Sequence, residues 1–98
     1  MLKGLDASHW NVIDSGIYQI YNITNNHRYI GSAVNLRKRR HDHWSSLLRG
    51  KHENEHLQRA WNKYGEVAFK FEALFICPPS DLLRYEQLLL DGMKPEYN

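Results

Sequence analysis

One carboxylate in this chain stands where a carboxylate is costly to place. In the run Leu82-Leu83-Arg84-Tyr85-Glu86-Gln87-Leu88-Leu89-Leu90, Glu86 has leucines at i−4, i−3, i+3 and i+4. On a helix those positions share a face, so the spacing predicts Glu86 inside an apolar stripe. An ionised carboxylate there is unfavourable unless it is paired or holds a metal. A structural salt bridge, a glutamate snorkelling at the stripe's edge, and a metal-binding or catalytic role all satisfy that spacing. Arg39 poses the matching problem. Leu36, Arg39, His43 and Leu47 recur at i, i+3, i+7 and i+11, placing a guanidinium and an imidazole on a stripe with leucines. Arg39 and Glu86 either neutralise each other as a structural pair or both face a cleft lined by Tyr18 and Tyr29. A phosphodiester suits such a cleft, with metal on the carboxylate, guanidinium on the phosphate oxygens and a phenol near the attacking water. Composition and spacing leave both readings open.

A second motif points to another chemistry. His52-Glu53-Asn54-Glu55-His56 fits H-E-x-x-H, in which two histidines one helical turn apart hold zinc and the glutamate serves as base. Here it falls at the start of a helix, directly after Gly50-Lys51, and no third ligand is evident. A zinc metalloprotease is therefore the weaker alternative.

The elements that must position these residues begin with a hairpin. Runs 16–23 and 28–31 have strand character, and Thr24-Asn25-Asn26-His27 between them is turn chemistry. Asn35 is placed to cap a helix that reaches about Arg49, where Gly50 stops it. Leu57, Ala60, Trp61 and Tyr64 pattern a second helix ending at Gly65. Residues 67–76 read as a strand, with Phe69, Phe71, Ala73 and Phe75 on one side and Lys70, Glu72, Leu74 and Ile76 on the other. Pro78-Pro79 ends it. Ser80 is expected to cap a third helix running to about Asp91-Gly92. The order β-β-α-α-β-α implies an α+β fold, a small three-stranded antiparallel sheet flanked by helices. Residues 1–15 have no clear period and are expected to form an N-terminal arm, packed through Trp10, Val12 and Ile13, ahead of a domain at 16–98.

At 98 residues there is room for one domain, and 42% hydrophobic with 24% charged residues is a globular composition. The net charge of +2 creates no global field for nucleic acid, but Arg37-Lys38-Arg39-Arg40 concentrates four cations locally. Such a run is ordinarily a solvated helix face. Cys77 is alone, which excludes a disulfide framework and a cysteine-based zinc site. No apolar run approaches the roughly 20 residues of a membrane span. The reading is a protein of the cytoplasm, without a membrane partner.

Gly16-Ile17-Tyr18, ten residues, then Tyr29-Ile30-Gly31 resembles the signature of the GIY-YIG nuclease superfamily. Further blocks extend the resemblance to about residues 15–98. Residues 31–39, Gly-Ser-Ala-Val-Asn-Leu-Arg-Lys-Arg, are similar to the segment ending in the family's catalytic arginine. Residues 57–65, Leu-Gln-Arg-Ala-Trp-Asn-Lys-Tyr-Gly, resemble a block of phage and group I intron homing endonucleases. The resemblance implies hydrolysis of a DNA phosphodiester with one divalent ion, Mg2+ or Mn2+, in a bacterial or phage-infected cell. Glu86 would hold the ion, Arg39 would neutralise the phosphate, and Tyr18 or Tyr29 would orient or deprotonate water. A phenol, with a pKa of about 10, needs nearby cations to serve as a base. His43 and His52 match family histidines suited to proton transfer. Gly31, which could equally end a strand, and Asn98 would support the site. Arg37, Lys38, Arg40, Arg49, Lys51 and Arg59 would touch phosphates of double-stranded DNA without reading sequence. The protein would act as a monomer or a transient dimer on DNA. A DNA-binding module without catalysis is the other alternative.

Overall fold

In the computed structural model, residues 14–98 are described, and the expected arm, with Trp10, Val12 and Ile13, lies outside them apart from Asp14 and Ser15. Strand β1 (Gly16–Asn22) is central, with β2 (Arg28–Ala33) and β3 (Phe69–Ile76) antiparallel on either side. Helices α1 (Leu36–Leu48) and α2 (Glu55–Tyr64) follow the hairpin, and α3 (Leu82–Met93) follows β3. The α+β expectation and its element order hold.

Side chains alternate across β1 and so divide the core in two. Tyr18 and Ile20 join Leu36, Leu47, Leu57 and Trp61 on the α1–α2 face. Ile17 joins Ile30, Leu74 and Leu82 on the α3 face. The hairpin turn places Asn26 in the left-handed region at φ 64°, which asparagine tolerates. Asn35 caps α1 by accepting from the Lys38 N–H, and Gly50, at φ 70°, follows its end.

Three local expectations are corrected. Gly31 lies inside β2 rather than ending a strand, because pairing continues to Ala33. The β3 alternation breaks at a bulge: Ile17 pairs with Phe75 but Tyr18 with Ala73, leaving Leu74 as the extra residue. Phe75 consequently packs with Leu74 on the α3 face, away from Phe69 and Phe71. Ser80 does not cap α3. Pro79–Asp81 forms a 3₁₀ turn, Asp81 occupies the cap position, and the helix runs through Gly92 to Met93.

Edge strand β2 brings both faces to one place. Alternate residues of an edge strand point their backbone groups outward. At Arg28 the N–H donates to Glu96 Oε1 and the carbonyl accepts from the Tyr97 N–H. At Ile30 the Asn98 side chain takes the N–H and donates to the carbonyl, at 2.7 and 2.6 Å. At Ser32 the carbonyl accepts from Arg39 Nη1 at 3.1 Å. The chain's last residues and Arg39 thus cover the edge in succession.

Candidate active site

A cleft of about 720 Å³ opens beside this edge, lined in part by Tyr29, Arg39, His43, Lys51, His52 and Asn54. Strand β2 supplies Tyr29, α1 supplies Arg39 and His43, and the loop between the helices supplies His52. Tyr18 stands behind them, fully buried and stacked on Phe71 with ring centroids 4.6 Å apart. The expected pair of cleft tyrosines is therefore one lining phenol and one buried phenol. Tyr18 and Gly31 are cross-strand partners. A β-carbon added at Gly31 would lie 2.6 Å from Tyr18 Cζ, so the glycine makes room for the ring. That is the physical basis of its supporting position.

Behind the cleft runs a continuous polar chain. Tyr18 Oη lies 2.7 Å from His43 Nε2, and His43 Nδ1 lies 2.7 Å from His52 Nε2. The Asn54 backbone N–H donates to His52 Nδ1 at 3.0 Å. The two imidazoles stack, with centroids 5.0 Å apart and planes 15° apart. Burial, then the neighbouring His52, pushes His43 down to about 4, and burial also lowers His52. Both imidazoles are neutral near pH 7. Burial pushes the Tyr18 phenol well above its ordinary value, and Tyr29 rises through burial and then the Glu86 charge. Arg39 pulls both phenols down but does not prevail. The expectation that nearby cations make a phenol basic is not met by the protein's own groups.

Arg39 does not share the buried stripe of α1. Leu36, His43 and Leu47 are buried, whereas Arg39 is exposed at the cleft rim. Glu86 is half-buried, as its position on α3 requires. Leu82, Leu89, Leu90 and Met93 form the packed face beside it, while Leu83 is 82% exposed and leaves the predicted stripe. Ser32, which sequence reasoning did not single out, connects the two charged groups. Its hydroxyl donates to Glu86 Oε1 at 2.5 Å, and its carbonyl accepts from Arg39. Arg39 and Glu86 thus meet through one serine of the edge strand. A small polar residue between a strand glycine and the arginine was the available signal.

The remaining candidates fall outside this cluster. Arg37, Lys38, Arg40, Arg49, Lys51 and Arg59 are all exposed. Lys38 pairs with Asp42 at 2.9 Å, Arg40 lies over the Trp44 ring, and Arg59 is 3.8 Å from Glu55. Asn98 acts on the backbone of Ile30, next to Tyr29.

The H-E-x-x-H geometry is absent. His52 precedes α2, which starts at Glu55, so it and His56 do not share a helical turn. Both His52 nitrogens are engaged, by His43 and by Asn54, and the His56 ring packs against Tyr97. Among the described residues no three His, Cys, Asp or Glu side chains gather as a metal site. A closed zinc centre needs more ligands than this. A single carboxylate instead suits a magnesium-like ion, which keeps several waters and shares its coordination with substrate phosphate. Glu86 accepts the Ser32 hydroxyl and retains further lone-pair capacity, which fits that role.

Residues 14–98 match the profile of the GIY-YIG catalytic domain. The chain is 41% identical over 76 residues to intron-associated endonuclease 1 of enterobacteria phage T4, a match covering 78% of this chain and 28% of that protein. It therefore spans little more than a quarter of that relative's length. The solved catalytic domain of homing endonuclease I-TevI superposes with a TM-score of 0.78 at 34% identity, covering 86% of this chain and 92% of the other. A mutant of the catalytic domain of intron endonuclease I-TevI gives 0.75 at 35% identity, covering 83% and 84%.

Proposed function

We infer, for a chain that belongs to the GIY-YIG catalytic domain family, a divalent-metal-dependent DNA endonuclease of the homing type that hydrolyses phosphodiester bonds. The observation that carries this reading is the meeting of Arg39 and Glu86 at one edge-strand serine, with Tyr29 of the same strand packed against Tyr18 and His43.

Each group has a role in this reading. Glu86 would hold one Mg2+ or Mn2+ ion. Glu86 would thereby supply Lewis-acid chemistry at the phosphate through the ion it would hold. Arg39, anchored on Ser32 and exposed at the rim, places its planar guanidinium on the phosphate and offsets charge that grows in the transition state. Tyr29, the phenol lining the cleft, orients the attacking water. Tyr18 and His43 hold that phenol's surroundings rigid and exclude solvent from behind. Lys51 beside the cleft and the exposed cations of α1 make sequence-blind contacts to the DNA backbone. Double-stranded DNA is the substrate, and selection among sequences belongs to whatever else accompanies this domain.

Conversion of supercoiled plasmid to nicked or linear form tests the reading. The domain should cut in Mg2+ and stop cutting in EDTA, with more Mg2+ restoring activity. Equal cutting in EDTA would overturn the metal role. Mg2+-independent binding without any cutting would support the non-catalytic DNA-binding alternative.

A further inference from the structure

The histidine chain contains more information than the presence of two histidines, because its far end is a backbone amide whose proton cannot move. We propose that Asn54 is a positioning residue whose backbone N–H fixes the tautomers of both histidines and makes His43 a hydrogen-bond donor to Tyr18.

The argument proceeds one proton at a time. Asn54 N–H donates to His52 Nδ1 at 3.0 Å, so that nitrogen carries no proton. A neutral His52 then bears its proton on Nε2, which lies 2.7 Å from His43 Nδ1. His43 Nδ1 must accept, since two N–H groups cannot face each other at that distance. The His43 proton therefore sits on Nε2, 2.7 Å from Tyr18 Oη. Burial supports the neutral state of both rings. One amide sets both imidazole proton positions, and each donor points along the chain toward Tyr18. In this state the His43 atom facing Tyr18 is a donor and is not available to take a proton from the phenol.

Asn54 is well fastened for this task. Its Oδ1 caps α2 by accepting from the Leu57 N–H, and its Nδ2 donates to the Tyr97 carbonyl at 2.6 Å. Gln58, itself buried, holds the neighbouring backbone: its Oε1 accepts from the His52 N–H and its Nε2 donates to the Leu47 carbonyl. The loop carrying His52 is thus tied to both helices. Nothing about Asn54 as a residue type announces this, because the acting group belongs to the backbone.

The effect on cleavage rests on the nuclease reading above, but the tautomers do not. The experiment is 15N-resolved NMR of the imidazole nitrogens in the wild-type domain at pH 7. Both His43 and His52 should show a protonated Nε2 and an unprotonated Nδ1. A protonated Nδ1 on either ring would overturn the proposal, whatever the protein does to DNA. Two variants add a readout that a structural role would not move. Asn54→Ala keeps the N–H and should keep both tautomers despite weaker capping. Asn54→Pro removes the N–H at a backbone φ of −84°, which proline accepts. It should lose the fixed tautomers and lower kcat about 10-fold with little change in KM. Unchanged tautomers in the proline variant would also overturn the proposal. Should that variant not fold, the wild-type spectrum decides. Wild-type tautomers as assigned, without any plasmid cutting, would contradict the nuclease reading alone.

Discussion

The two halves of the site are built on opposite principles. Tyr18, His43 and His52 are packed between the sheet and α1, neutral, ring against ring, with their hydrogen bonds aligned from a backbone amide. Arg39 and Glu86 approach edge strand β2 from the two faces of the sheet and meet through Ser32. Burial organises the first half by excluding water and fixing protons. Charge organises the second half, and the proposed reaction would need it open to a phosphate and an ion. A buried half sets geometry in advance, while an exposed half supplies the electrostatics on demand. Mutations should therefore separate them: changes to the charged half should affect rate with little loss of stability, and changes to the buried half should affect both.

The largest separation is expected at Arg39. Arg39→Ala should lower cleavage by about 10²–10³-fold. It should leave thermal unfolding nearly unchanged, because the side chain is exposed. A large loss of stability would show that Arg39 belongs to the structural half.

Acid should act on the buried half. His43 titrates near 4 in the folded chain and near 6.5 when unfolded, so the unfolded state binds a proton first as pH falls. Stability should be level above about pH 6.5 and decline toward pH 4, by on the order of 3 kcal/mol in all, with His52 contributing in the same direction. At the other end, the raised Tyr18 and Tyr29 phenols predict stability lost as pH climbs beyond about 10. Denaturant melts across pH would measure both limbs. A flat acid limb in the wild type, or no flattening in His43→Gln, would contradict the burial account.

The tyrosines give a smaller and more direct contrast. Tyr18→Phe leaves a buried His43 N–H without its acceptor and should cost about 1–3 kcal/mol of stability. Tyr29→Phe, at the cleft wall, should reduce cleavage with less effect on unfolding. Reversed behaviour would exchange their roles. Smallest of all, Lys38→Ala removes an exposed i,i+4 ion pair and should leave the thermal melt nearly unchanged. Its effect on DNA binding should shrink as salt rises.

Much of this design is written in side-chain pattern. The Asn35 cap, the stop at Gly50, the hairpin and the third strand follow from local chemistry, and Glu86 between leucines marks a carboxylate that needs a partner. The bulge at Leu74 left no trace, because Ala73-Leu74-Phe75-Ile76 is apolar throughout and an extra residue disturbs no visible alternation. The start of α3 was displaced because Pro79 favours its own turn before a helix can begin. Arg39 looked like part of a buried stripe because helical periodicity assigns a face and not a depth. The links through Ser32 and Asn54 were the least legible: a carbonyl, a hydroxyl and an amide N–H do their work through position. The tripeptides and the charged residues marked the candidate site, whereas the proposed proton order required coordinates.

The central claim is that these halves form one metal-dependent site for a DNA phosphodiester, with Glu86 holding the ion. Single-turnover cleavage of DNA in Mg2+ by Glu86→Gln tests it most directly, because the substitution preserves shape and removes the charge. The expected result is a folded protein, unchanged in its thermal melt, whose cutting falls by at least about 10³-fold. Cutting at the wild-type rate would contradict the assignment of Glu86 and, with it, the account of the charged half.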